Sequence, residues 1–196
     1  FIPEDGKVLI DADYSQIELR VMAAISGDEN MISTYKNGED IHTKTASAVF
    51  GMPEEYVSDE MRKRAKAVNF GIVYGISGFS LSKDIGTTVS EATKYIKNYL
   101  MNYLSIGEYL ENVVEKAKVD GYTTTVFGRR RYIPELKSPN AIMRAFGKRV
   151  AMNAPIQGLS ISSGCDTCSF MDSMNVPSKE CAALLYPSIK LILRLN

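Results

Sequence analysis

Asp13 follows a short apolar run, Val8-Leu9-Ile10, bounded by Gly6 on one side and by Asp11 and Asp13 on the other, which reads as a buried strand. A carboxylate at the C-terminal end of such a strand is held rigidly and faces outward, which suits a hard divalent cation such as magnesium. Asp11 falls on the same strand face and is either a second ligand or a solvated neighbour. The plainer reading of Asp13 is a helix cap or turn former. A second set, Arg62, Lys66, Phe70 and Tyr74, recurs at every fourth position of one predicted helix and forms a slowly curving stripe about 18 Å long. Two cations followed by two aromatics suit a nucleoside triphosphate: the cations pair with phosphate oxygens, and the rings offer flat faces to sugar and base. Basic residues near a helix N-terminus oppose the helix dipole, so an anionic ligand would account for them. The bland alternative is a solvated first turn followed by core aromatics. Gly128-Arg129-Arg130-Arg131, at a predicted hairpin turn, suits phosphate contacts along a nucleic-acid strand or is simply a solvated turn. Arg149, Asn153 and Gln157, one helical turn apart, suit hydrogen bonds to base edges or sugars, although polar residues on an exposed helix face are commonplace.

The elements that must hold these residues follow from periodicity and punctuation. Apolar residues recur at helical spacing from Ile17 to Ile25, and Gly27-Asp28 ends that helix before a short one around Met31 to Tyr35. Asp40 is placed to cap the next helix, which Gly51-Met52-Pro53 stops. Ser58 or Asp59 caps a longer helix through Tyr74, with Gly75 as its stop. Ser90 opens an amphipathic stretch to about Lys118, broken or kinked near Ser105-Ile106-Gly107 and ended by Asp120-Gly121. Tyr122 to Phe127 is rich in strand formers, Gly128 turns, and Arg131-Tyr132-Ile133 returns as the second arm of a hairpin. A last helix is predicted from about Asn140 to Ala154.

Composition sets limits rather than functions. With 196 residues, 45% hydrophobic and 23% charged, the chain predicts one large domain or two small ones. Lys plus Arg equals Asp plus Glu at 23 each, so no overall field favours a polyanionic or acidic partner, and any electrostatic function must be local. Basic residues do cluster, at Arg62-Lys63-Arg64 with Lys66, at Arg129-Arg130-Arg131, and at Arg144, Lys148 and Arg149. Three cysteines, Cys165, Cys168 and Cys181, are an odd number confined to the tail; this is no secreted disulfide framework and points to a reducing cytosol. Cys165-x-x-Cys168 reads as chance spacing, because the single histidine, His42, lies far away in sequence. The absence of a long apolar run predicts a chain that neither enters nor crosses a membrane. Phe1, immediately before a strand pattern, suggests a piece of a longer protein.

Taken together, the segments resemble family A DNA polymerases, the DNA polymerase I group, from about Phe1 to Gly158. Asp13-Tyr14-Ser15-Gln16-Ile17-Glu18-Leu19-Arg20 is similar to the family's motif A, and Arg62 to Gly75 (Arg-x-x-x-Lys-x-x-x-Phe-Gly-x-x-Tyr-Gly) to motif B on the fingers helix. Thr125-x-x-Gly-Arg-Arg-Arg-x-x-Pro134 and Arg149-x-x-x-Asn-x-Pro-x-Gln-Gly158 add two further signatures in the family's order. The resemblance implies that Asp13 holds two catalytic magnesium ions with help from the Tyr14 carbonyl. It implies that Glu18 is the steric gate selecting deoxynucleotides, and that His42, Arg62 and Lys66 grip the triphosphate, Lys66 protonating the leaving pyrophosphate. Phe70 would pack on the nucleotide sugar and Tyr74 stack at the insertion site, while Arg149, Asn153 and Gln157 contact primer and template; Arg129 and Arg130, read from the hairpin turn, are the candidates for DNA phosphate contacts. The implied partners are primer-template DNA and deoxynucleoside triphosphates, handled by a cytoplasmic monomer.

The expected fold class is α/β (α+β), a partial right-hand polymerase with palm strands and a mainly helical fingers subdomain. Residues 1–27 would start the palm, 28–120 form the fingers, 121–158 return to the palm, and 159–196 make an atypical tail, misread or disordered. The family's Thr-Ala-Ala-Asp continuation and its Val-His-Asp-Glu hairpin are replaced by Leu159-Ser160-Ile161 and by an ending, Lys190 to Asn196, that only faintly echoes the entering strand. Lys148 stands where the resemblance leads to Glu. Without the second carboxylate, this segment by itself is expected to be inactive. Two rival readings are a non-catalytic nucleotide- or DNA-binding remnant and a helical interaction module in which Arg62, Lys66, Phe70 and Tyr74 only pack.

Overall fold

The computed structural model describes the backbone of residues 9–14, 16–162 and 189–194 and the side chains of residues 16–159. Strand β1 (Leu9–Tyr14) leads into α1 (Ile17–Ser26), α2 (Glu29–Lys36) and α3 (Ile41–Phe50). A 3₁₀ turn at Glu54–Tyr56 precedes α4 (Asp59–Val73), α5 (Gly78–Ile85), α6 (Val89–Asn102) and α7 (Leu104–Asp120). The hairpin β2 (Tyr122–Thr124) and β3 (Arg130–Tyr132), a second 3₁₀ turn at Pro134–Lys137, α8 (Ala141–Ser162) and β4 (Ile189–Arg194) follow. The result is mainly helical with two small antiparallel sheets: β1 pairs with β4, placing Asp13 opposite Lys190, and β2 pairs with β3.

Side-chain caps explain where several helices start. Asp28 Oδ1 accepts from the Met31 amide, Ser58 from that of Met61, and Ser77 from that of Ser80, each satisfying a donor that has no partner inside the helix. Thr88 and Glu91 form a reciprocal capping box at the start of α6. Ser58, not Asp59, is the cap of α4, and Gly75 turns the chain after it at φ 66°.

One core runs through all the larger helices. Leu19, Val21 and Met22 of α1 are fully buried among Val68 and Ile72 of α4, Leu81 of α5, Tyr99 of α6, Ile106 of α7 and Ile156 and Leu159 of α8. A smaller cluster of Val114, Ala117, Ile133, Leu136 and Ala151 joins α7, the hairpin and α8. Among the described residues no helix is long and apolar enough to cross a membrane.

Four elements differ from the sequence reading. The break in the amphipathic stretch falls at Tyr103, two residues before the predicted Ser105-Ile106-Gly107, where Tyr103 is 1% exposed and packs its ring 4.8 Å from that of Tyr99. Helix α8 continues through Pro155 to Ser162 rather than ending at Ala154. Proline removes one helical hydrogen bond, and the burial of Ile156 and Leu159 at 0% exposure outweighs that loss. The first arm of the hairpin is shorter than Tyr122–Phe127: the strand ends at Thr124, the Thr125 amide still donates to the Arg129 carbonyl, and Thr125 to Gly128 form the turn, with a bond from the Gly128 amide to the Thr125 carbonyl. Helix α5 has no counterpart in the sequence reading; its signal is the Ser77 cap followed by buried Leu81 and Ile85 one turn apart. The tail expected from residue 159 onward begins as the last turn of α8 and ends as β4, while Cys165, Cys168 and Cys181 lie outside the described residues.

Candidate nucleotide and nucleic-acid site

The stripe predicted on α4 exists, and its neighbours decide what each member can do. At its N-terminal end the Arg62 guanidinium donates to both carboxylate oxygens of Asp40, at 2.5 and 3.2 Å. Asp40 also caps α3 and accepts from the Thr43 hydroxyl at 2.7 Å. Partial burial pushes the Asp40 carboxyl up, but the hydrogen bonds from Arg62 and Thr43 and the Arg62 charge outweigh it and hold its pKa at about 2. Arg64 likewise pairs with Glu60. The basic start of α4 is therefore neutralised in part by the protein's own carboxylates, with Asp59 and Glu60 in the first turn. Lys66 is exposed, pairs with no carboxylate among the described residues, and carries its ammonium 5.9 Å from the centre of the Phe70 ring.

His42 is 2% exposed and sits against the same helix, its ring 6.0 Å from that of Phe70. Its Nδ1 lies 3.0 Å from the Asn69 side-chain amide and its Nε2 lies 3.3 Å from that of Gln16. Burial, aided by the nearby Arg62 and Lys66 charges and opposed by Asp40, depresses its pKa to about 4, so the imidazole is neutral near pH 7. Gln16, the one residue other than glycine with positive φ (56°) among those described, stands at the start of α1 and accepts from the Tyr35 hydroxyl at 3.2 Å. Gln16, Asp40 and Asn69 were not among the residues singled out in the sequence; Asp40 was read only as a cap, and nothing in local spacing marks the other two.

At the far end of the stripe the Tyr74 hydroxyl donates to Glu18 at 2.6 Å, joining α4 to α1. Burial and the neighbouring Glu18 carboxylate raise the Tyr74 pKa to about 12. Phe70, Gly71 and Tyr74 form one wall of an open cleft of about 690 Å³, Ser77, Ser80 and Asp84 its floor, and Phe146, Arg149, Val150 and Asn153 of α8 the other wall. Sequence positions almost eighty residues apart thus face one space. Asn153 Oδ1 is buried with no hydrogen-bond partner among the described residues. Gly75 lets the two walls close up: a Cβ there would collide with the Met152 side chain and come within 3.2 Å of that of Arg149. Gln157 is exposed one turn beyond Asn153.

Arg129 and Arg130 are exposed at the hairpin, Arg130 stacking 5.0 Å from the centre of the Tyr122 ring. Asp13 and Tyr14 occupy the last two positions of β1; their side chains lie outside those described. Among the described residues there is no group of three acids, histidines or cysteines able to hold a metal. The oxygen donors of Asp11, Asp13 and the Tyr14 carbonyl are nevertheless of the hard type that magnesium takes.

The sequence profile described as DNA polymerase family A matches residues 1–167. The chain belongs to this family. Curated relatives named DNA polymerase I include that of Caldicellulosiruptor bescii, 53% identical over 158 residues, and that of Bacillus subtilis, 54% identical over 159 residues. Each alignment covers 81% of this chain but only 19% and 18% of the relative, so the family A chain spans about a fifth of their length. Among solved structures, the POL domain of Pol1 from M. smegmatis, in complex with DNA primer-template and dNTP, is similar with a TM-score of 0.73 and 42% identity over 81% of this chain and 28% of that one. The fold expected from the four motifs, a partial polymerase domain, is the fold observed.

Proposed function

We propose that this chain is the part of a template-directed DNA polymerase that receives the incoming deoxynucleoside triphosphate and presents it to a primer 3′-hydroxyl, with release of pyrophosphate. The observation that carries this reading is the cleft shared by Phe70 of α4 and Tyr74 at its end with Arg149 and Asn153 of α8, beside Lys66, which pairs with no carboxylate among the described residues. Phosphates fit the cationic end of the stripe and a flat sugar and base the aromatic end. Lys66 would hold the triphosphate and protonate the leaving pyrophosphate; Arg62 and His42 would support the same end. Phe70 would pack on the sugar and Tyr74 at the base, with Glu18, tied to Tyr74, excluding a 2′-hydroxyl. Arg149, Asn153 and Gln157 would contact primer and template, and Arg129 and Arg130 the DNA backbone. Asp13 and the Tyr14 carbonyl would hold magnesium, which when bound stabilises the attacking and leaving oxygens. Residues 1–27 and 121–158 would serve as palm and 28–120 as fingers, in a monomer.

Titration of the chain with a deoxynucleoside triphosphate and magnesium, comparing wild type with Lys66→Ala, tests this directly. Loss of a charge-assisted contact is expected to weaken binding by about tenfold or more. Equal affinity in the two proteins would remove Lys66 from the site, and no wild-type binding would overturn the reading.

A further inference from the structure

Thr45 and Asn69 are both 0% exposed, yet neither side chain contributes to the stripe. They form a buried polar chain behind it: the Thr45 hydroxyl donates to Asn69 Oδ1 at 3.1 Å, and the Asn69 amide lies 3.0 Å from His42 Nδ1. Thr45 also lies 3.4 Å from the Tyr103 hydroxyl at the α6–α7 break. In this arrangement the Asn69 oxygen accepts from Thr45 and its amino group faces His42 and donates, so that Nδ1 carries the lone pair. A neutral imidazole then bears its single proton on Nε2. As placed, the Gln16 amino nitrogen lies 3.3 Å from His42 Nε2 and the Gln16 oxygen accepts from the Tyr35 hydroxyl; a half-turn of the amide brings its oxygen to the Nε2 proton and its amino group to the Tyr35 oxygen.

We propose that Asn69 is a positioning residue that fixes His42 as a neutral Nε2–H donor toward the triphosphate end of the site. This inference rests on the nucleotide reading above. An entering phosphate oxygen replaces the Gln16 oxygen as acceptor of the Nε2 proton, and Gln16, at positive φ with His42 and Tyr35 beside its side chain, is the group displaced. Asn69 also ties α4 to α3, so the helix carrying Lys66 and the donor on His42 keep one relative placement.

His42 is the only histidine in the chain, so its ring nitrogens give unassisted signals in a ¹⁵N-labelled sample. The wild type is expected to show a lone-pair Nδ1 and a protonated Nε2. Asn69→Asp, ionised, accepts from Nδ1 and should place a proton there, while Thr45→Val, nearly isosteric and uncharged, should give a mixture of the two tautomers and also serves if the Asp variant folds poorly. Deoxynucleoside triphosphate affinity with magnesium should fall by up to about tenfold in Thr45→Val, which adds no charge, in proportion to the lost tautomer. An unchanged tautomer in both variants overturns the orienting role, and a shifted tautomer in Thr45→Val with unchanged affinity overturns its link to the triphosphate. A wild type that shows the Nε2–H tautomer but binds no triphosphate overturns the nucleotide reading while leaving the orienting role standing.

Discussion

Arg62 and Lys66 look alike in sequence, and their surroundings separate them. Asp40 holds Arg62 by two hydrogen bonds, whereas Lys66 stands free of carboxylates among the described residues. Asp40→Asn isolates the pair, since asparagine caps a helix as well as aspartate does. Both side chains are partly exposed, 43% for Arg62 and 34% for Asp40, so solvent screening limits the stability loss to about 1 kcal/mol or less. Removing the carboxylate leaves the stripe one charge more positive. Triphosphate affinity is therefore expected to rise a few-fold at low salt and to fall more steeply as salt is added; an unchanged affinity would show that Arg62 does not face the ligand. The stripe itself was legible because a spacing of four needs only the helix period. The partner of Arg62 lies 22 residues away and was visible only as a capping residue.

At the scale of elements, helices compete between propensity and contact. Gly107 in α7 and Gly147 in α8 are both helical glycines, and each would gain about 1 kcal/mol on substitution by alanine if propensity alone decided. An added Cβ at Gly107 would meet only the Leu100 side chain at 3.7 Å, an ordinary contact. At Gly147 it would lie 2.9 Å from the Leu136 backbone nitrogen and 3.2 Å from the Glu135 carbonyl carbon, neither of which can yield easily. Urea unfolding should find Gly107→Ala stabilised by up to about 1 kcal/mol and Gly147→Ala destabilised by about 1–3 kcal/mol. Equal effects would mean that α8 can shift away from the 3₁₀ turn at Pro134–Lys137. The same competition explains the sequence reading's errors. The predicted break at Ser105-Ile106-Gly107 falls two residues earlier, at the buried Tyr103 ring; Pro155 marks a predicted end, yet buried Ile156 and Leu159 carry α8 past it.

Over the whole molecule, the buried histidine couples site and stability. His42 titrates near 4 in the fold against an ordinary 6.5, so between those values the unfolded chain binds the extra proton and stability rises with pH. Acidification through that window should cost up to about 3 kcal/mol, and Asp40, held near 2 rather than 3.8, should extend the loss further below it. Melting temperatures of wild type and His42→Gln should converge or cross as pH falls from about 7 to about 4; parallel curves would exclude His42 as the source. Motif order, helix periods, caps such as Asp40 and Ser58, and the cation–aromatic stripe were determined by the sequence alone, because each rests on residues within a few positions of one another. Only the tertiary structure brought α8 against α4 to make the cleft, paired Arg62 with Asp40, and set Asn69 and Gln16 on the two nitrogens of His42. Those contacts join residues separated by 22 to more than 70 positions, and their selection depends on how one shared core packs rather than on any local period.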